Sequence, residues 1–460
     1  MGYRDLQEKI LSREAKVAVI GLGYVGLPLA VEKAKAGFAT IGIERKPERV
    51  RKVNSGENYI PDVLDLDLQA VVRSGKLKAT QDFDVIAEVD VITVCVPTPL
   101  DKNKTPYTGY IEHVVDQSLP YLHRGQLLIL ESTTYPGTTE EVIQPRIESR
   151  GFVLGEDFYL AYSPERVDPG NREFKVKNTP KVVGGVTPRC TEVARTLYET
   201  VLQGEVFPVS SPRVAEMTKL LENIFRVVNV SLVNELAMLC DRMGIDIWET
   251  IEAAKTKPFG YMPFYPGPGI GGHCIPIDPF YLSWKAKEYD FSPRFIELAG
   301  EINDAMPEYV VRRAAEILNT HKKCLNGSRV LLLGVAYKRD VDDLRESPAL
   351  KVAEILLRWN AELLYHDPYV PECRIGDRSY RSIPLDPDVL QTVDLVIITT
   401  DHSKVDYARV VEHAPLIFDT RNALRGIKQP HLYTLGAPPA SVSASTPTPA
   451  PTQAQGGPPR

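Results

Sequence analysis

No run of about 18 consecutive apolar residues occurs in this chain, so the sequence predicts no membrane-spanning helix. The N-terminal stretch MGYRDLQEKILSREAK is mixed in charge and has no apolar centre, so no secretory leader is expected. Leu6 stands where an N-myristoylation signal prefers Ser or Thr, which argues against an acyl anchor on Gly2. Cysteine is sparse: Cys95, Cys190, Cys240, Cys274, Cys324 and Cys373 are widely scattered, with no CxxC pair. That disfavours a zinc knuckle and, without a leader, a disulfide framework; a reducing cytoplasm is the expected setting, with no bound metal. An excess of one charge sign is also missing. A net charge of −6 and a pI near 5.9 argue against nucleic acid or an anionic membrane as main partner, while allowing a local basic pocket for phosphates. Finally, residues 437–460, rich in Pro, Ala, Ser and Thr, have no apolar periodicity with which to offset ordering entropy and are expected to be disordered.

What is present is an ordinary globular composition, 43% hydrophobic and 25% charged over 460 residues, enough for two or three domains. Over the first 210 residues short apolar runs alternate with helical patterns. Strands are predicted at 16–20, 39–43, 91–96, 127–130, 158–161 and 181–183. Near-continuous hydrophobic strands separated by helices imply a parallel sheet covered on both faces. From Pro212, apolar residues recur every three or four positions as far as Leu239, which predicts one helix ended by Gly244. At 1.5 Å per residue it would run roughly 45 Å, a length suited to joining domains or to a subunit interface. A second α/β pattern begins near 326. Strands are expected within 329–338 and at 361–365, 393–399 and 416–418, with a helix over 347–359. The expected fold class is therefore α/β: two Rossmann-like parallel-sheet domains joined by a long central helix, with a disordered tail. The expected division is 1–210, 211–325, 326–436 and 437–460.

Residues 21–26 read GLGYVG, after one predicted strand and before a helix. In such a turn Gly21 permits the bend, Gly23 lets backbone approach a pyrophosphate, and Gly26 allows close helix–sheet contact. Exposed N–H groups and the helix dipole favour the anion. Glu44, at the end of the next strand, suits ribose hydroxyls and repels a 2′-phosphate, which favours NAD over NADP; Arg45 beside it blunts that preference. The other reading of the turn is a tight βα connection with no ligand.

Residues 267–279 read GPGIGGHCIPIDP, a loop shaped by glycines and prolines around Cys274 and Asp278. Cys274 is either a nucleophile or a small hydrophobe beside a tight turn. Lys219 and Asn223 share one face of the long helix, where the lysine either reaches solvent or sits in a polar pocket able to stabilise an oxyanion. Thr133 in ESTTYPGT (131–138) and Glu165 in AYSPERVDPGN (161–171) follow predicted strands, where open parallel sheets bind ligands; helix capping is the alternative for each.

Taken together, GLGYVG (21–26), VCVPTP (94–99), ESTTYPGT, SPERVDPGN (163–171), AEMTKLLENIF (215–225), GGHCIPIDP (271–279) and GVAYKRDVDDLRESPA (334–349) resemble the UDP-glucose/GDP-mannose dehydrogenase family over roughly residues 14–432. The resemblance implies NAD-dependent oxidation of the C6 alcohol of a nucleotide sugar to a carboxylate, in two hydride transfers at one site. It implies that Cys274 holds the sugar as a thiohemiacetal and then a thioester, and that Lys219 and Asn223 stabilise oxyanions. Asp278 then activates water or Lys219, Glu165 serves thioester hydrolysis, and Thr133 lies near the nicotinamide. Cofactor contacts are expected from Tyr24, Val25, Arg45, Thr98, Thr133 and Arg345 besides the glycines and Glu44. Substrate contacts are expected from Glu165, Arg166, Val167, Lys219, Asn223, Tyr265, Gly271 and Lys338. PFYPGPGIGGHCIPIDP looks most like the branch acting on UDP-N-acetylglucosamine or related N-acetylhexosamines. Glucose-specific members carry an Arg upstream of the glycine run, where KTKPFGYMPFYPGPG (255–269) has none. UDP-glucose, UDP-N-acetylmannosamine and GDP-mannose remain alternatives, and a homodimer or higher homo-oligomer is expected. Two other classes stay open: a single-step hydroxy-acid dehydrogenase, which yields one NADH per turnover, and a nucleotide-binding protein without turnover.

Overall fold

The apolar runs of the N-terminal part become strands of one eight-stranded sheet: β1 (Lys16–Ile20), β2 (Ala39–Ile43), β3 (Leu77–Thr80), β4 (Val91–Val94), β5 (Gln126–Leu130), β6 (Phe158–Tyr162), β7 (Lys181–Gly185) and β8 (Val206–Val209). The computed structural model describes residues 2–101, 103–168, 171 and 173–439. These divide into two units. The first comprises the chain up to Arg226 together with Ile277–Ile296; the second comprises Val227–Pro276 and the chain from Glu297 onward. The tail expected to be disordered lies, from residue 440, outside the described residues.

In the first unit the strand order is β3-β2-β1-β4-β5-β6-β7-β8. The first six of these are parallel, with Val19 opposite Gly42 on one side and Thr93 on the other. The order reverses at β1/β4, where doubly wound sheets bind nucleotides beyond the carboxyl ends of their strands. Alternation along β1 sends Val17 and Val19 to one buried face and Ala18 and Ile20 to the other. Both faces are covered, which is why the run reads as continuously apolar. Each fully buried valine or isoleucine here contributes roughly 1.5–3 kcal/mol.

The sheet is not parallel throughout, and this corrects the expectation. β7 runs antiparallel to β6, with Ala161 opposite Gly185, and β8 then lies parallel to β7. A parallel return needs a crossover, usually a helix, and none occurs among the described residues of 163–180. β3 (LKAT) and β8 (VFPV) were not predicted; they are short edge strands with exposed positions, and Pro208 fits only an edge.

The long helix spans Pro212–Met243, and Gly244 follows it with φ +68°, as its sequence predicts. By length and average composition (mean hydropathy 1.2, 39% buried over its most apolar window) it is apolar enough to cross a membrane, a test that core helices also pass. This qualifies the expectation from unbroken runs. Lys219, Glu222 and Arg226 interrupt any run, whereas an average tolerates isolated charges.

In the second unit five parallel strands take the order β10-β9-β13-β14-β15: β9 (Arg329–Leu333), β10 (Glu362–His366), β13 (Leu395–Ile398), β14 (Ile417–Asp419) and β15 (Leu432–Thr434). A hairpin, β11 (Glu372–Ile375) and β12 (Arg378–Arg381), turns at Gly376 with φ +57°. Met306, Val310, Ala314 and Ile317, from a 27-residue helix (Arg294–Thr320) that sequence reasoning missed, join Val330, Leu332, Val352 and Leu356 in its core. Pro307 inside that helix removes one backbone donor and breaks the pattern that would have announced it.

Candidate active site

The turn after β1 shows three different demands on its glycines. Gly21 has φ +90°, and a Cβ there would lie 2.6 Å from the Cys95 carbonyl oxygen. A Cβ on Gly26, the first residue of the helix Gly26–Lys35, would lie 1.8 Å from the Gly21 oxygen. A Cβ on Gly23 would meet nothing within 4 Å. Two glycines are therefore demanded by the fold, while the third faces open space, as a turn that admits a pyrophosphate requires. Tyr24 is exposed and Val25 half-buried beside it. Glu44 is buried; its Oε2 accepts from the Leu22 N–H (3.1 Å) and its Oε1 from the Lys46 N–H (2.9 Å), leaving one lone pair on each oxygen for ribose hydroxyls. Arg45 points to solvent, and Arg49 lies 3.6 Å from Glu44. These features fit a dinucleotide.

The neighbouring strand ends bring further predicted residues together. The Thr98 hydroxyl donates to the Thr133 carbonyl at 2.6 Å. Glu165, after β6, accepts at Oε1 from the N–H groups of Arg166 (2.7 Å) and Val167 (2.8 Å). Arg166 itself turns to Glu222, at 2.6 Å. Burial alone would raise the Glu165 carboxyl, but Lys181, the Val167 and Arg166 N–H groups and Lys219 together hold it below the usual range.

On the long helix, Lys219 and Asn223 are both buried, so the lysine does not reach into solvent. Asn223 Nδ2 donates to Asp278 Oδ2 at 2.6 Å. Burial pushes Asp278 up to about 7, against the opposing pull of the Lys219 charge and the Asn223 amide. Glu216, one turn before Lys219, accepts from the Gly137 N–H (2.6 Å), the Thr139 N–H (3.0 Å) and the Thr139 hydroxyl (2.7 Å). It thereby ties the ESTTYPGT loop to the same helix face.

In the second unit the cysteine loop is held by two buried amides: Asn234 accepts from the Gly267 N–H (2.9 Å) and Asn303 from the Ile270 N–H (2.6 Å). Gly271 and Gly272 lie against Tyr337, and Gly272, at φ +93°, donates to the Arg345 carbonyl at 3.0 Å. A Cβ on either would lie under 3.0 Å from Tyr337, so both are fixed by the neighbouring loop. Cys274 is half-buried, as is Lys338. Arg345 is exposed and forms a forked pair with Asp343. Burial, and then the Arg345 charge, lower the pKa of His273. Tyr265 donates to Glu252 at 2.7 Å and stacks on Trp248.

With that geometry in place, comparison with known proteins is decisive. Sequence profiles of the UDP-glucose/GDP-mannose dehydrogenase family match residues 15–202 (NAD binding domain), 213–305 (central domain) and 331–426 (UDP binding domain). The chain belongs to this family. It is 35% identical to UDP-N-acetyl-D-glucosamine 6-dehydrogenase of Pseudomonas aeruginosa over 393 residues, covering 85% of this chain and 92% of that protein. It is likewise 35% identical to UDP-N-acetyl-D-mannosamine dehydrogenase of Pyrococcus horikoshii over 418 residues, covering 89% of this chain and 96% of that one. A solved structure of the UDP-D-ManNAc dehydrogenase from Pyrococcus horikoshii superposes with a TM-score of 0.82 at 34% identity, over 92% of this chain and 99% of that one. As a member of the UDP-glucose/GDP-mannose dehydrogenase family the chain is an NAD-dependent nucleotide-sugar dehydrogenase with a UDP-binding domain.

Sequence reasoning missed Glu131, Lys181 and Glu216. Glu131 carried a signal: an acid directly after a fully apolar strand, at the head of a loop already singled out. Lys181 carried none, since a lysine opening a strand ordinarily reads as its solvated end.

Proposed function

We propose that this enzyme oxidises the C6 hydroxyl of a UDP-sugar, UDP-N-acetylglucosamine foremost, to the uronic acid in two steps, through a covalent adduct on Cys274 and with release of two NADH. NAD, when bound, accepts a hydride in each step. Glu44 and the turn at Gly21, Gly23, Tyr24, Val25 and Gly26 hold it, with Arg45, Thr98, Thr133 and Arg345 as further contacts. Asp278 and Lys219 take up the alcohol proton, and Asn223 and Lys219 donate to the developing oxyanion. Cys274 adds to the C6 aldehyde; loss of a second hydride from that carbon leaves a thioester, which water opens with Glu165 as base. Arg166, Val167, Tyr265, Gly271 and Lys338 are assigned to substrate.

The observation that carries this reading is the buried constellation of Lys219, Asn223 and Asp278, with the Asn223–Asp278 bond at 2.6 Å. A dehydrogenase of small hydroxy acids needs neither this set nor a loop cysteine four residues before Asp278 in the sequence. Relatives named for UDP-N-acetyl-D-glucosamine and for UDP-N-acetyl-D-mannosamine match at the same 35% identity. Both sugars carry a 2-acetamido group, which suits a chain without an Arg in residues 255–269.

We further propose a homodimer formed through the long helix. Its residues Val214, Met217, Leu221, Phe225, Leu232, Leu236, Leu239 and Met243 recur at spacings of three, four or seven, and each is at least 37% exposed. This is a repeat suited to a second helix. A reducing compartment suits six cysteines that form no disulfide among the described residues, and we assign the cytoplasm.

The test is NADH release by the purified protein over a panel of UDP- and GDP-sugars. Two NADH per UDP-N-acetylglucosamine are expected, and Cys274→Ala should abolish acid formation while NAD still binds. One NADH per sugar, or full two-step turnover by Cys274→Ala, overturns the covalent mechanism. Turnover of UDP-glucose with UDP-N-acetylglucosamine inert overturns the substrate assignment.

A further inference from the structure

Beneath Glu165 lies a set of charged side chains with no part in the reaction as described above. Glu131 follows β5, Lys181 opens β7 and Tyr198 stands on the helix Pro188–Val201; none is more than 4% exposed. Lys181 Nζ lies 2.5 Å from Glu131 Oε2 and 3.5 Å from Glu165 Oε2, while the Tyr198 hydroxyl donates to the other oxygen of Glu131. Glu165 Oε1 is taken by two backbone N–H groups, whereas its buried Oε2 receives no hydrogen bond from the described residues. An ammonium removed from water needs one close carboxylate to offset its desolvation, and Glu131 already provides it. The second carboxylate, beyond hydrogen-bond range yet within strong Coulomb range, is left charged with one oxygen uncommitted.

We propose that Lys181, braced by Glu131 and Tyr198, is a positioning residue that keeps Glu165 ionised with Oε2 free, so that this oxygen takes the proton of the water that opens the thioester. The proposal rests on the reading of the hydrolytic step given above. In that step the water oxygen bonds to the thioester carbonyl carbon, the carbon–sulfur bond breaks, sulfur departs as the Cys274 thiolate, and the water proton passes to Glu165; no electrons are exchanged.

The charged and titratable groups around Glu165 support this division of labour. Lys181 faces it from β7, Lys219 acts on it from the long helix, and Glu131 and Cys95 come from the ends of β5 and β4. The Arg166 guanidinium is turned away, to Glu222 and the Pro180 carbonyl. Lys33, fully buried beyond Glu131, is bonded to Thr93, and burial lowers it to about 8 against the pull of Glu131. Lys181, shared with Glu131, is thus the cation with the largest effect on Glu165, ahead of Lys219.

The test compares Lys181→Met/Glu131→Gln, which removes the cation and its counter-charge together, with Lys181→Arg and Glu131→Gln. The sugar nucleotide is the one that gives two NADH in the parent enzyme, so failure of the general reaction is recognised before any variant is made. For the double variant the burst of two NADH should persist, hydrolysis should slow at least about tenfold near pH 7, and its ascending pH limb should move up. Intact-mass analysis of quenched samples should then show the sugar acyl group on the protein. Lys181→Arg should restore the rate, and Glu131→Gln, leaving Lys181 to Glu165 alone, should move the limb the opposite way. An unmoved limb in both Glu131→Gln and the double variant, with parental NAD affinity showing that both fold, overturns the proposal.

Discussion

At Asp278 a single hydrogen bond has a measurable consequence. Burial lifts its carboxyl to about 7, while the Asn223 amide favours the charged form. If Asp278 acts when ionised, kcat/KM should rise with pH through about 7. Asn223→Leu removes the donor to the charged form, so the limb should move to higher pH, and loss of an oxyanion donor should lower kcat about 100-fold. A limb that stays in place in this variant would assign it to another group. Lys219, Asn223, Cys274 and Asp278 were legible as candidates, because each lies in a short motif of distinctive residue types and spacing. The buried pairing of Glu131 with Lys181 was not. Their roles depend on strands β5 and β7 lying on either side of β6, some 50 positions apart in the chain, and no local pattern announces such a pairing.

At the scale of elements, the βα turn separates folding from binding. Gly26→Ala places a methyl 1.8 Å from the Gly21 oxygen and should destabilise the protein by several kcal/mol, on the order of 3, read as a fall in Tm. Gly23→Ala meets no protein atom and should leave Tm nearly unchanged while weakening NAD binding at least about tenfold by titration. Equal effects of both substitutions on Tm and Kd would contradict the division. The spacing GxGxxG already placed this turn, because Gly21 and Gly26 answer local steric demands and Gly23 leaves room for a ligand. The direction of β7 was illegible for the opposite reason: a strand buried on both faces reads the same whichever way it runs. The helix Arg294–Thr320 was hidden by Pro307, and the edge strands β3 and β8 by their polar or proline positions.

For the whole molecule, the exposed apolar series on the long helix sets the prediction. Leu236→Glu, placing a charge in its middle, should convert a dimer to a monomer in sedimentation velocity, with secondary structure retained by circular dichroism. A parent protein that sediments as a monomer, or that requires detergent to stay in solution, would refute the dimer, the latter in favour of a membrane. The sequence by itself determined the two α/β regions, the long helix, the nucleotide turn and the cysteine loop. All of these depend on short-range spacing: apolar periodicity, glycines at fixed offsets and prolines that set φ. Tertiary structure alone decided the antiparallel turn of the first sheet, the Asn223–Asp278 bond and the placement of Lys181 between Glu131 and Glu165. Each of these needs residues distant in the chain to share a dry environment, where the loss of solvation makes a single charge or hydrogen bond count for far more than it does in water.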